Sequence, residues 1–307
     1  MNFPDYPQDC NLLVVLGPTA CGKTAYAVQW AARIGAEIIS ADSRQVYRGM
    51  DIGTGKDLSE YTLPDGRRVP YHLIDICPAG SKYNVYEFQR DFVQAFRDIR
   101  ARGRMPILCG GTGLYIEAVL KAYPLVNVPV NEALRACLQD KTLSQLSDIL
   151  ADYKRAAGQH MHNQTDMDTV KRALRAIEIE DYYAAHADEI RKGVEEFPHI
   201  KPYVVGLEVD REQRRERISR RLRARLAEGM IDEVQALLDS GIKAEDLIYY
   251  GLEYKYITLY LTGQLSYEQM LHDLEIAIHQ FAKRQMTWFR GMQQRRGIDI
   301  HWINPAL

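Results

Sequence analysis

Short apolar runs closed off by turn residues mark five strands: Leu12–Leu16, Glu37–Ser40, Tyr71–Ile76, Met105–Cys109 and Tyr203–Val209. Runs of this length, rich in Val, Ile and Leu, fit strands buried on both faces. Between the first four, apolar residues return every three or four positions, which predicts helices. One spans Ala25 to Ile34. The clearest begins at Asn84, with Glu87 three residues on as a capping box, and stops before Gly103. Strands alternating with helices predict an α/β fold: a P-loop-type parallel sheet flanked by helices, with right-handed crossovers.

The fourth and fifth runs are separated by more than ninety residues without a strand pattern. After a helix over Leu114–Lys121 comes a connection from Pro124 to Pro129. Helical stretches follow around Glu132–Gln139, Leu143–Ala157 and Val170–Ala185. The spacing predicts an all-helical lobe over 125–199, attached to the rim of a ligand cleft and inserted into a core built from 1–124 and 200–307. Beyond the last strand the chain is helical again. Ser266 with Gln269 forms another capping box, and Met270, Leu274, Ala277 and Phe281 make an apolar stripe. No internal repeat or low-complexity tract interrupts the pattern.

Composition narrows the class. A chain of 307 residues, 46% hydrophobic and 26% charged, has the profile of an ordinary globular protein. No run approaches the ~18 apolar residues of a membrane span, and no basic region precedes the first short apolar strand. Cys10, Cys21, Cys77, Cys109 and Cys137 are scattered without a C-x-x-C pair. They read as reduced thiols of a cytoplasmic protein, with no disulfide or zinc framework. A net charge of −2 does not point to nucleic acid, but its distribution changes the picture. Residues 211–225 hold eight arginines against Glu212 and Glu216, and Ile218, Leu222 and Leu226 recur every four residues. This is an amphipathic helix with a dense cationic surface. Both a solvated face and an anion-binding face fit that pattern.

The candidate chemistry sits at strand ends. Leu12–Leu16 runs into Gly17-Pro-Thr-Ala-Cys-Gly22-Lys23-Thr24, the G-x-x-x-x-G-K-T of a phosphate-binding loop. Its glycines let several backbone N–H groups turn toward one anion, and the helix that follows aims its positive end there. Lys23 supplies a mobile cation for the outer phosphate, and Thr24 a hydroxyl for Mg²⁺. Cys21 reads as a small filler, since no neighbour in the sequence would lower its pKa. A nucleotide kinase or NTPase carries a further acid at a strand end. Here the fourth strand ends in Gly110-Gly111-Thr112-Gly113, with no carboxylate, and Asp75 offers either that acid or a structural group. The second strand ends in Ser40-Ala41-Asp42-Ser43-Arg44-Gln45. One strand over from the phosphate loop, Asp42 is placed to act as a general base, or else to cap the next turn. Ser43, Arg44 and Gln45 offer hydrogen bonds to a base edge.

Five blocks occur in order: G-P-T-A-x-G-K-T from Gly17, S-A-D-S-R-Q-V-Y-R-G-M-D-I-G-T-G-K over 40–56, P-Y-H-L-I-D over 70–75, G-G-T-G-L-Y over 110–115 and A-K-R-Q-M-T-W-F-R over 282–290. Together they resemble the tRNA dimethylallyltransferase family, also called tRNA isopentenyltransferases, nearly end to end. The resemblance implies that the loop (Gly17, Thr19, Ala20, Cys21, Gly22, Lys23, Thr24) holds the diphosphate of dimethylallyl diphosphate, with Mg²⁺ on Thr24. It implies that N6 of the adenosine on the 3′ side of the anticodon attacks the allylic carbon and that diphosphate leaves. Asp42 matches the proton acceptor, and Lys23, Thr112 and Arg217 match groups that neutralise or orient the leaving diphosphate. Asp42, Ser43, Arg44, Gln45 and Thr112 match contacts to the target nucleotide. Arg135 and the segment Asp168, Thr169, Val170, Lys171, Arg172 match contacts of the helical lobe to the anticodon stem-loop. The chain is expected to be a cytoplasmic monomer.

The chain departs from the family pattern at four places. Gly53-Thr54-Gly55-Lys56 stands where G-T-A-K is common, and Ala277-Ile-His-Gln280 where Thr-Arg-Gln is usual. Leu252-Glu-Tyr-Lys255 blurs a glycine-tyrosine-lysine-glutamate motif, and the usual Thr-Gly near residue 180 is absent. These bear on the acceptor. A transferase of the same chemistry acting on AMP, ADP or ATP is one alternative, and a P-loop nucleotide kinase another. The arginine-rich helix and the lobe favour tRNA, because a mononucleotide needs no such footprint.

Overall fold

The computed structural model of the chain describes residues 3–158 and 168–304. It divides into two units, Met1–Lys121 with Pro198–Leu307, and Ala122–Phe197. The larger carries the sheet. Its strands in chain order are β1 (Leu12–Leu16), β2 (Glu37–Ser40), β3 (Tyr47–Arg48), β4 (Tyr71–His72), β5 (Cys77–Pro78), β6 (Pro106–Gly110), β7 (Pro202–Leu207) and β8 (His301–Ile303). Six of them form one parallel sheet in the order β4-β2-β6-β1-β7-β8, while β3 and β5 pair separately. β1 lies near the centre, and each of its five apolar residues is 0% exposed. Register aligns Leu16 with Gly110 and Gly206, and Ser40 with Cys109. The carboxyl ends of β1, β2, β6 and β7 therefore finish along one edge, where ligands of open α/β sheets sit.

Two differences from the sequence pattern have local causes. The run Tyr71–Ile76 forms a strand only to His72, because Leu73 and Asp75 take left-handed backbone angles (φ 63° and 57°) and turn the chain away. The sixth strand of the sheet, β8, pairs with β7 in parallel. Three residues, His301-Trp-Ile303, are too short to carry a period.

Helices α1 (Lys23–Ile34), α2 (Val85–Ala101) and α3 (Gly113–Leu120) cross over between strands of the core. The Asn84–Glu87 capping box at α2 is formed, with the Asn84 side chain accepting from the Tyr86 and Glu87 amides. The smaller unit holds α4 (Glu132–Leu138), α5 (Leu143–Ala156), α6 (Val170–Ala185) and α7 (Ala187–Glu195). Leu138, Leu146, Leu150, Ala173 and Ile177 form its core. Back in the larger unit follow α8 (Arg211–Ala227), α9 (Met230–Asp239), α10 (Ala244–Tyr249), α11 (Leu252–Leu261) and α12 (Tyr267–Arg296). α12 starts at the Ser266–Gln269 capping box and, at 30 residues, runs about 45 Å. Met270, Leu274 and Ala277 are buried as the stripe predicts, but Phe281 is exposed. No helix among the described residues is long and apolar enough to cross a membrane.

Candidate active site

The loop after β1 is shaped by three left-handed or extended-positive residues, Gly17 (φ 156°), Ala20 (φ 62°) and Gly22 (φ 87°). Gly17 has no room for a side chain: a Cβ there would lie 2.7 Å from the Leu207 carbonyl and 2.9 Å from Cys21 Sγ. Cys21 is fully buried behind the loop and acts as packing. Lys23 opens α1 and donates from Nζ to the Pro18 carbonyl at 2.7 Å, so its ammonium curls over the loop.

Two side chains from distant sequence brace this loop. Gln285 of α12 is buried; its Oε1 accepts from the Thr19 amide at 2.8 Å and its Nε2 donates to the Gly111 carbonyl at 2.9 Å. It ties the phosphate loop to the loop after β6. Arg221 of α8 donates to the Thr19 hydroxyl. Burial, with Arg225 one turn on, pulls the Arg221 guanidinium down to about 10, which still leaves it charged at neutral pH.

The loops after β2 and β6 are joined as tightly. Gly110 approaches Ala41 so closely that a Cβ would sit 2.2 Å from its carbonyl oxygen. The Thr112 hydroxyl accepts from the Ser43 amide at 3.1 Å and lies 3.4 Å from Ser43 Oγ. It stands at the N-cap position of α3 but makes no capping bond there. Asp42 Oδ1 accepts from the Arg44 amide at 2.9 Å. One oxygen thus fixes the turn, and the carboxylate still lines the cleft. Gln45 is used by the fold: it accepts from Ser40 Oγ at 3.0 Å and donates to the Gly55 carbonyl at 3.1 Å. The Arg44 guanidinium lies 5.3 Å from the Tyr249 ring centre.

The segment 50–56 is anchored from behind. Glu233 of α9 accepts from the amides of Asp51, Ile52 and Gly53 at 2.8, 2.8 and 3.0 Å and from Tyr254 Oη at 2.6 Å. Lys56, buried, bonds Asp51, Asp75 and the Tyr47 carbonyl. Asp75 is therefore a structural partner of Lys56. Gly55, where the family motif has alanine, sits at φ 67° with Arg225 pressed against it, 2.4 Å from where a Cβ would be. Arg225 in turn pairs with Asp57 at 3.2 Å.

These parts enclose a cleft of about 510 Å³. Of the residues singled out from sequence, Thr19, Ala20, Gly22, Lys23, Thr24, Asp42, Ser43, Arg44, Gln45 and Thr112 line it. Gly17 and Cys21 lie behind it. Arg217 is half-buried and not among the lining residues; Arg221 and Arg225, four and eight positions on along the same stripe of α8, are. The opposite wall is apolar and aromatic, with Trp288 pressed on Gly113, and carries Glu253. Burial pushes the Glu253 carboxyl above the usual range. Sequence reasoning passed over Gln285 and Trp288, although both lie in the A-K-R-Q-M-T-W-F-R block, and over Arg221 and Arg225, which the four-residue spacing from Arg217 would have found. Among the described residues no group of three or more His, Cys, Asp or Glu forms a metal cluster.

The lobe residues lie in the smaller unit. Arg135 makes a bidentate pair with buried Glu178 at 2.7 and 3.0 Å. Thr169 caps α6 by accepting from the Arg172 amide, and Arg172 pairs with Asp168 at 3.2 Å. Val170 and Lys171 are exposed on the first turn.

A parallel sheet with a phosphate loop at its centre, the Thr112 hydroxyl after the adjoining strand β6, and a general-base candidate after β2, one strand further from the loop than the sequence pattern suggested, defines a P-loop protein built for group transfer. Comparison with known proteins narrows this. A family model described as IPP transferase matches residues 45–292, and one described as isopentenyl transferase matches 10–71. The chain is 60% identical over 297 residues to tRNA dimethylallyltransferase 1 of Parabacteroides distasonis, covering 97% of this chain and 93% of that protein. It is 57% identical over 307 residues to tRNA dimethylallyltransferase 2 of Bacteroides fragilis, covering 100% and 95%. Its fold matches the crystal structure of the full-length tRNA isopentenylpyrophosphate transferase of Bacillus halodurans with a TM-score of 0.67 at 34% identity, over 96% of this chain and 89% of that one. The chain belongs to the IPP transferase family.

Proposed function

We propose that the chain transfers a dimethylallyl group from dimethylallyl diphosphate to N6 of the adenosine 3′-adjacent to the anticodon of tRNA, releasing diphosphate. The observation that most supports this is the convergence of the phosphate loop, Asp42 and Thr112 on one cleft whose β6 end carries no carboxylate.

The N6 lone pair forms a bond to the allylic carbon as that carbon's bond to the diphosphate oxygen breaks. The electron pair departs with the diphosphate, and the N6 proton passes to Asp42. Asp42 is suited to this because its turn is fixed by one oxygen while the carboxylate lines the cleft. Negative charge grows on the diphosphate, so the loop amides, Lys23 and Arg221 lower the barrier by being in place beforehand. Arg217 joins them in this reading, reaching the outer phosphate from one turn up α8. The hydroxyls of Thr112 and Ser43 and the Arg44 guanidinium hold the nucleotide, which must be flipped out of its loop to enter. The exposed first turn of α6, 168–172, gives the smaller unit its contact with the anticodon stem-loop, and Arg135, paired with Glu178, supports that unit from within.

The donor set fits Mg²⁺ held by the Thr24 hydroxyl together with substrate oxygens and water, as Mg²⁺ is commonly held at phosphate sites. Such an ion, when bound, draws charge from the diphosphate. We place the enzyme in the cytoplasm with its tRNA, and as a monomer.

Incubating the protein with labelled dimethylallyl diphosphate and either unmodified tRNA or AMP tests the reading. Label is expected on tRNA. Label on AMP alone would move the assignment to an adenylate acceptor, and vigorous ATP hydrolysis to a kinase-like protein.

A further inference from the structure

A second cavity, about 880 Å³, lies beyond the carboxyl ends of β7 and β8, between the first turns of α8 and the middle of α12. Its charge is one-sided. Two acids line it, and both are in use: Glu208 accepts from Arg290 at 2.8 Å, and Asp210 caps α8 through the Glu212 amide at 2.8 Å. Arg211, Arg214, Arg215 and Lys283 also line it, and none has an ion-pair partner among the described residues. Asp210 faces Arg214 and offsets part of this charge, but the surface stays net positive, and like charges gathered on one concave surface repel. A net charge of −2 for the whole chain makes the concentration here a local feature.

The same helix continues to the cleft. Arg221 and Arg225 line the first cavity and Arg211, Arg214 and Arg215 the second, with Arg217 and Arg220 between them. The ten steps from Arg211 to Arg221 span about 15 Å along the axis. α12 is shared as well, with Gln285 and Trp288 turned to the cleft and Lys283 and Met286 to the second cavity. A ligand with one charge would satisfy one end of this track. A polyanion with evenly spaced charges matches the run of cations that leads from the second cavity toward the cleft. The apolar floor, including Ile276 and Met286, suits sugar and base edges between phosphates.

We propose that the acceptor RNA, with its target nucleotide in the cleft, lays a flanking stretch of its phosphate backbone along α8 and seats phosphates in the cavity of Arg211, Arg214, Arg215 and Lys283. This rests on reading the chain as an RNA-modifying enzyme. It adds a binding surface in the larger unit, separate from the residues of α4 and α6 that the family resemblance assigns to tRNA.

The test uses the full chain carrying Arg211→Gln, Arg214→Gln and Arg215→Gln together, with tRNA affinity measured over a salt series. Three lost phosphate contacts should flatten the log–log slope by about 2–3. The KM for tRNA should rise, with kcat and the KM for dimethylallyl diphosphate held within about twofold. An unchanged slope in the triple variant, while the parent protein labels tRNA, would overturn the proposal and leave the functional reading standing. A parent protein that labels only AMP and binds no tRNA would overturn both. Should the triple variant fail to fold, Arg211→Gln and Lys283→Gln singly carry the test, each expected to flatten the slope by about 0.7–0.9. An unchanged slope in both single variants overturns the proposal as well.

Discussion

The cleft and the helical unit use charge in opposite ways. In the unit of α4–α7 the charged side chains are largely spent on one another. Glu178, buried, takes both Arg135 and Arg175, Lys154 pairs with Glu180 at 2.6 Å, and Arg172 pairs with Asp168. The cleft leaves charge in reserve. The Lys23 ammonium is held by a carbonyl and the Cys21 sulfur, the Arg221 guanidinium by a hydroxyl, and Asp42 by one amide. Those neutral partners fix position without cancelling charge. A site that must neutralise a leaving diphosphate needs this, because a cation already paired with a carboxylate has little field left to offer. In the smaller unit the same residue types act as mortar between short helices whose apolar core is small.

This contrast makes Asp42 the most sensitive position. Asp42→Ala removes the proton acceptor and should lower kcat by 10²–10⁴-fold, on the order typical for a lost general base. Binding of dimethylallyl diphosphate should barely change, because Asp42 stands at the end of β2, with β6 between it and the strand of the phosphate loop. Single-turnover transfer and equilibrium binding of the diphosphate separate the two effects. Near-full activity would remove Asp42 from the chemistry.

Gln285 comes next. Gln285→Ala should weaken dimethylallyl diphosphate binding and slow transfer together, since the Thr19 amide and the Gly111 carbonyl both lose their buried partner. An unsatisfied buried group costs roughly 1–3 kcal/mol, so a 10- to 100-fold fall in kcat/KM is expected. A fall in thermal stability without loss of diphosphate affinity would mean that Gln285 is mortar too.

How much of this was visible in the sequence depends on whether a residue acts locally or at a distance. The phosphate loop, the Asp42 segment and Thr112 were legible because each follows an apolar strand directly, and its chemistry is set by its own backbone. The capping boxes at Asn84 and Ser266 were legible for the same reason. Gln285 and Glu233 were not. Their roles arise from contacts 174 and 180 residues away, and no local pattern announces them. β8 was missed because a strand of three residues has no period, and the end of β4 because the left-handed turn at Leu73 and Asp75 is taken by residues that seldom adopt it.

A residue in the paired unit gives the counter-test. Arg135→Ala should act through stability. Glu178 is left buried with one guanidinium instead of two, at a cost on the order of 1–3 kcal/mol to that unit. Any loss of tRNA affinity should then track the loss of helical content. Arg135→Ala that retains a fully folded unit yet flattens the salt slope for tRNA would show that its charge is available to RNA, and the contrast between the two regions would fail there.

The smallest expected effect concerns Glu253. Burial, opposed by the nearby Arg221 and Arg225, holds its carboxyl above the usual range. A carboxyl whose folded pKa is raised binds its proton more tightly in the folded chain than in the unfolded one. Its ionisation therefore works against folding, and the penalty grows as pH rises from the ordinary glutamate pKa, near 4.3, through the raised folded value. Glu253→Gln removes that penalty and keeps the shape. The variant should melt higher than the parent at pH 8 and at the same temperature near pH 4, read from thermal unfolding at the two pH values. A gain at both pH values would make the effect one of packing. A loss at pH 8 would mean that ionised Glu253 is stabilised by Arg221 and Arg225 more than burial penalises it, and the cleft would then be partly self-neutralised, like the smaller unit.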